Sequence, residues 1–94
     1  MTEQTHPFRY AVNVTPRPGI LDPQGRAVEQ SLPHLDITDV SEVRVGRRVE
    51  LTVGAADEAA ARVTVERLAH ELFSNPLIEQ YEIELLAEPA LAGQ

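Results

Sequence analysis

The chain of 94 residues contains no cysteine, no lysine and no tryptophan. Without cysteine it can form neither disulfides nor thiolate metal sites. It also lacks the nucleophile on which a glutamine-hydrolysing amidotransferase of the Cys-His type depends. Without lysine it has no Gly-rich lysine loop for a nucleoside triphosphate. Aromatic residues are few, two Phe and two Tyr, which leaves little from which to build stacking platforms for nucleobases. Positive charge is scarce as well. Fifteen acidic against eight basic residues give a formal charge of −7, a balance that repels phosphate backbones. No apolar run approaches the roughly 20 residues that span a bilayer. The opening Met1-Thr2-Glu3-Gln4-Thr5-His6-Pro7 has neither the basic patch nor the apolar core of a secretory signal. A soluble cytoplasmic protein is the expectation, built as one domain near the small end of what folds without staples.

What is present is a clear succession of periods. Over residues 8–15, Phe8, Tyr10, Val12 and Val14 alternate with Arg9, Ala11, Asn13 and Thr15, which predicts a strand with one buried face. Pro16-Arg17-Pro18-Gly19 ends it. From Pro23 the spacing turns helical, with Ala27, Val28, Leu32 and Leu35 as the apolar stripe. Pro33 removes a backbone bond and clashes with the carbonyl of Glu29, so regular helix is expected to stop or kink near Leu32. Val43, Val45, Val49, Leu51 and Val53 share one parity, with an interruption at Gly46 and Arg47. A hairpin with the loop Gly46-Arg47-Arg48 would keep the apolar faces matched, pairing Val45 with Val49 and Val43 with Leu51. One long bent strand with a bulge at Gly46 is the alternative. Asp57 caps a second helix running to about Phe73, with Ala61, Val65, Leu68 and Leu72 inward. Ser74-Asn75-Pro76 ends that helix, and Tyr81, Ile83 and Leu85 alternate with Glu82 and Glu84 in a last strand.

The order strand, helix, strand, strand, helix, strand predicts an α+β fold. In it a ferredoxin-like antiparallel sheet of four strands carries two helices on one face. The domain covers residues 8–86, with flexible tails at 1–7 and 87–94. That fold hosts many unrelated functions, so activity must be argued from sites.

Most candidate sites have plain structural readings. His6, His34 and His70 lie far apart, and His70-Glu71 lacks a second histidine at helical zinc spacing. Ser31, Ser41 and Ser74 have no nucleophile elbow around them. Asp57 and Glu58 suit the positive end of a helix dipole. Glu82 and Glu84 fall on the open face of the last strand, with Arg9 and Asn13 as expected cross-strand partners. Two features resist this treatment. In Asp22-Pro23-Gln24-Gly25 the aspartate and proline suit a helix entrance, but the glycine costs about 1 kcal/mol relative to alanine. Such a glycine implies that another backbone, chain or ligand comes close. On propensity alone, Gly25→Ala would stabilise the helix by about 0.5–1 kcal/mol while obstructing whatever packs there. The second feature is Arg47-Arg48, the one compact basic spot in an acidic sequence, placed at the expected hairpin tip and suited to a carboxylate-rich partner surface.

The run Ile20-Leu21-Asp22-Pro23-Gln24-Gly25-Arg26-Ala27-Val28 resembles a signature of the PurS family, the small subunit of phosphoribosylformylglycinamidine (FGAM) synthase. So do Val43-Arg44-Val45-Gly46-Arg47 and Asn75-Pro76-Leu77-Ile78-Glu79-Gln80-Tyr81. The resemblance covers residues 8–86. It departs from the family where Leu35-Asp36-Ile37 stands in place of the usual Leu-Gly-aromatic. The resemblance implies a homodimeric subunit without catalytic residues that binds no metal or cofactor itself. It would join a synthetase subunit, PurL, which binds ATP, to a glutaminase subunit, PurQ, and help ammonia pass between them. Asp22, Gln24, Gly25, Arg47 and Arg48 are the candidate partner contacts. A different class remains open beside it. ACT-type regulatory modules share this strand and helix order and bind small molecules near the first strand–helix loop, a place that residues 19–25 could fill. An RNA-binding module is a third reading, disfavoured by the charge and the lack of strand aromatics.

Overall fold

The computed structural model describes residues 4–89. Strand β1 (His6–Pro16) carries the alternation expected of it and becomes the centre of the molecule. It pairs antiparallel with β2 (Arg47–Ala55) on one side and β3 (Glu79–Ala87) on the other, giving the order β2-β1-β3. Tyr10 stands opposite Leu51 and Leu85, and Val12 opposite Val49 and Ile83, so three apolar rows share one face. Helix α2 (Glu58–Leu68) covers that face with Ala61, Val65 and, just beyond its end, Ala69. Tyr10, Val12, Val14 and Val65 are completely buried. Leu86 is an extra residue in β3, because Arg9 faces Ala87 while Tyr10 faces Leu85.

Four strands were expected, and the described residues form three. The segment assigned to the first arm of a hairpin, residues 43–45, joins no strand. Its Val43 and Val45 N–H groups are taken by side-chain carboxylates instead. Arg47 and Arg48 are therefore the first residues of β2, not a loop tip, and no bulged continuation runs back through Gly46. His6 and Pro7 lie inside β1 and Ala87 inside β3, so the sheet reaches slightly into both expected tails. Residues 1–3 and 90–94 of those tails lie outside the described residues.

Helix α1 (Pro23–Ser31) stops where Pro33 demands, and a 3-10 turn (Leu32–Leu35) follows. Asp36 then adopts φ 59°, the left-handed conformation that glycine takes without strain. Its N–H donates back to Leu32 and Pro33. Asp36 thus occupies the glycine position of the family pattern. The second helix continues to Phe73, as expected, but its last turn (Ala69–Phe73) widens to a π-turn closed by Ser74 N–H on the Ala69 carbonyl. The wider turn rotates Phe73 onto the core and leaves Leu72 at 71% exposure, so Leu72 drops out of the inward stripe.

The expectation of two helices on one face also needs correction. Helix α1 packs chiefly on its own 3-10 turn rather than on the sheet. It extends beyond the sheet end, and the molecule is 62 Å long, whereas a strand of 11 residues spans roughly 36 Å. The radius of gyration is 18.2 Å, against about 12 Å for a compact chain of this length.

Candidate functional site

The three sequence motifs meet at the end of the sheet from which α1 departs. Asp22 organises the meeting. Its Oδ1 accepts the Gly25 N–H at 3.0 Å, the helix cap expected from the sequence, while Oδ2 accepts the Val45 N–H at 2.8 Å. Both bonds hold its carboxyl below the usual aspartate range, the Gly25 bond contributing most. Two turns further along, Glu29 of α1 accepts the Val43 N–H at 3.0 Å. Alternate amides of an extended segment point the same way, so two carboxylates of α1 hold residues 43–45 as a neighbouring strand would.

Gly25 has its explanation here. A Cβ on it would lie 2.2 Å from the Val43 carbonyl oxygen. The close approach inferred from sequence is made by the chain's own backbone. Gly46 is constrained in the same way, since a Cβ there would lie 2.1 Å from the Val14 carbonyl oxygen. The Arg44 guanidinium donates to the Pro16 carbonyl, adding a tie to the end of β1.

Arg47 and the third motif complete the junction. Arg47 makes a two-pronged ion pair with Glu79, both N···O distances being 2.8 Å, and its Nη2 also donates to the Phe73 carbonyl at 2.6 Å. Glu79 additionally receives the Asn75 N–H at 2.7 Å. Arg47 is the larger influence and the amide the smaller in holding the Glu79 carboxyl below its normal range. Asn75 shapes the turn before β3, accepting from Leu77 N–H on its side chain and from Ile78 and Glu79 N–H on its carbonyl. Arg17 closes the arrangement, donating Nε–H to the Pro76 carbonyl at 2.8 Å.

A cavity of about 620 Å³ opens between these motifs. Asp22, Gln24 and Arg47 lie on its wall with the apolar Ile20, Leu21 and Ile78. Three of the five candidate residues thus come together around one opening, and Gly25 is buried behind it. Arg48 does not join them. It lies on the opposite face of the sheet, where it bonds Glu50 at 2.9 Å, Glu84 at 3.2 Å and Asn13 at 3.1 Å. These contacts span all three strands above Ala11, which is fully buried. Glu82 faces Asn13 as expected, but Glu84 is paired with Arg48, and Arg9 with Glu50. The sequence reading missed Glu29, Arg44 and Glu79. The only signal for Glu79 was its place in the third motif. His6, His34 and His70 fall in β1, the 3-10 turn and the π-turn, and no group of three metal-binding side chains forms among the described residues.

Comparison with known proteins decides what the junction belongs to. A family model described as PurS, phosphoribosylformylglycinamidine (FGAM) synthase, matches residues 9–87. This chain belongs to the PurS family. A PurS subunit from Synechocystis is 40% identical over 83 residues, covering 88% of this chain and 83% of that protein. The crystal structure of the PurS subunit of Thermotoga maritima superimposes with a TM-score of 0.79 at 30% identity, covering 88% of this chain and 95% of the other. A chain from a structure of PurLQS of the same organism superimposes at 0.78 with 31% identity, covering 85% and 98%. The PurS match spans all but the first three residues of β1 and all three motifs. No helix among the described residues is long and apolar enough to cross a membrane.

Proposed function

We propose that this chain is the small, non-catalytic subunit of an FGAM synthase, working in purine nucleotide biosynthesis. The observation that carries the reading is the PurS match over residues 9–87, within which all three motifs fold into one junction. The subunit joins a PurL-type synthetase to a PurQ-type glutaminase in the cytoplasm. Ammonia released from glutamine is then consumed close to where ATP activates formylglycinamide ribonucleotide. Holding two active sites together raises the effective concentration of a small intermediate that would otherwise diffuse into water.

The chain itself holds no ATP and no glutamine. With no cysteine and no lysine in the sequence, both belong to the partner subunits. Asp22, Gly25 and Arg47 shape the junction, and Gln24, Leu21 and Leu77, the two leucines 69% and 86% exposed, form its contact surface. Arg48 serves the opposite face, within its ionic lattice. The working form is a homodimer, a reading supported by the elongated protomer and its exposed apolar residues. The ACT-type alternative loses its polar anchor, because the Asp22 carboxylate is already engaged by two backbone amides.

Reconstitution tests the assignment. Adding this chain to PurL-type and PurQ-type subunits of the same source is expected to raise glutamine-dependent FGAM synthesis. An unchanged rate overturns it.

A further inference from the structure

Five of the eight arginines are committed to carboxylates of the chain itself. Arg47 and Arg48, the compact basic spot of the sequence, are among them. Their charge is already answered by Glu79, Glu50 and Glu84. The other three, Arg17, Arg26 and Arg44, form no salt bridge among the described residues. All three are exposed, and all three stand where α1 leaves the sheet. A lone unpaired arginine is an ordinary solvated side chain. Here every unpaired one falls in the same region of a chain whose net charge is −7.

Arg26 and Arg44 stand on the wall of one cavity of about 460 Å³, beside Ile20 and Leu21. Two carboxylates share that wall, Asp22 and Glu42. Asp22 is turned to the Gly25 and Val45 amides, and Glu42 pairs with neither guanidinium. The Arg44 guanidinium donates to the Pro16 carbonyl, and Arg17, the next residue, donates Nε–H to the Pro76 carbonyl. Such a bond aims a guanidinium and leaves most of its five donors open. Ile20, Leu21 and Asp22 also line the cavity between the three motifs, so the cationic wall borders the exposed Leu21. Leu77, exposed as well, follows the proline that holds Arg17. We propose that Arg17, Arg26 and Arg44 dock a carboxylate-rich segment of a partner subunit, which sets an apolar side chain beside Leu21. The inference rests on the bridging role proposed above and names the chemistry that the bridge grips.

Charge complementarity selects this occupant. A guanidinium matches a carboxylate in a planar, two-pronged bond. A small anion would answer the charge but leave Leu21 and Leu77 in water, whereas a protein segment covers both. The acidic remainder of the surface repels such a segment. The three arginines therefore fix where it lands as well as how tightly it holds. The contact with an acidic partner expected at Arg47 and Arg48 moves to arginines that the chain's own carboxylates leave free.

The test measures the affinity of this chain for PurL-type and PurQ-type subunits of the same source. Arg17→Glu and Arg26→Glu are each expected to raise Kd at least about tenfold. Arg67→Glu makes the same change of charge on α2, beside Glu71, and is expected to raise it less than about twofold. Arg26→Gln guards against a misfolded variant. It is expected to keep the circular dichroism of the unsubstituted chain and to weaken binding about threefold. Added salt should weaken the unsubstituted complex more steeply than the Arg26→Glu complex. Hydrogen exchange is expected to show protection over an acidic segment of the partner, and reversing a carboxylate there to arginine should restore binding of Arg26→Glu. Unchanged Kd in Arg17→Glu and Arg26→Glu, or an equal loss in Arg67→Glu, overturns the docking site and leaves the bridging role standing. Failure of the unsubstituted chain to bind either subunit overturns both. Inorganic phosphate that shifts the Arg26 and Arg44 resonances, with assembly indifferent to the substitutions, assigns the wall to a small anion and overturns the proposal. Altered sedimentation of the variants alone assigns it to a second copy and does the same.

Discussion

Gly25 shows how a single residue changes meaning between sequence and structure. Helix propensity alone favours alanine there by about 1 kcal/mol. The added methyl would meet a backbone oxygen at 2.2 Å, and neither the Val43 carbonyl nor the helix is free to yield. Gly25→Ala is therefore expected to destabilise the protein, by about 1–2 kcal/mol after the propensity gain, measured by urea unfolding. The two helix-capping aspartates provide a second comparison. Asp57 accepts one amide, from Ala60, whereas Asp22 accepts from Gly25 and, across the junction, from Val45. Asp22→Ala is expected to lower the melting temperature more than Asp57→Ala, because it strands an amide outside the helix as well. Equal effects would mean that the Val45 bond adds nothing. At Asp36, held at φ 59°, Asp36→Gly is expected to raise stability by about 0.5–1 kcal/mol in the same unfolding assay, by removing the cost of a left-handed side-chain-bearing residue.

Among elements, the decisive ties run between segment ends rather than along the sheet. Arg47 at the start of β2 grips Glu79 at the start of β3 and the carbonyl of Phe73 at the end of the π-turn. The Arg47 guanidinium, and to a smaller degree the Asn75 amide, hold the Glu79 carboxyl below the usual glutamate range in the folded protein. Between the folded and unfolded values the unfolded chain binds more protons, so stability rises with pH through that window. The contribution is complete above the unfolded value and is lost as pH falls through the folded one. Asp22 adds a dependence of the same sign, because the Gly25 and Val45 amides hold its carboxyl below the usual aspartate range. Melting temperatures measured from pH 6 to pH 3 should fall most steeply below about pH 4.5. Glu79→Gln should lower the plateau and flatten the fall. An identical slope in the variant would remove Glu79 from the account.

For the whole molecule, the dominant fact is an unfinished layer. A sheet of three strands carries one helix on its apolar face while the other helix projects past its end. The proposed bridging role would gain from such a shape, because it leaves exposed ends available to other chains. Purified alone, the chain is expected to hydrolyse neither glutamine nor ATP. Glutamate release and phosphate release assays check this, and turnover proportional to its concentration would contradict a non-catalytic role.

The local rules were legible in the sequence because they act over a few residues. Alternation gave β1 its buried face, Asp22 and Asp57 announced their helices, and Pro33 stopped α1 where steric clash requires. The family was legible for a related reason, since its motifs are short runs of chain. What those motifs do was decided in three dimensions. Alternation over residues 43–53 cannot distinguish a strand paired with a strand from a segment held by Asp22 and Glu29, because both expose the same amides. Nor can Arg47-Arg48 reveal that consecutive residues of a strand face opposite sides, sending Arg47 to Glu79 and Arg48 to Glu84. The direction of α1 depends on carboxylate bonds across 14 and 23 residues of sequence. Periodicity determined that α1 has an apolar stripe, and only tertiary structure determined that this stripe does not rest on its own sheet.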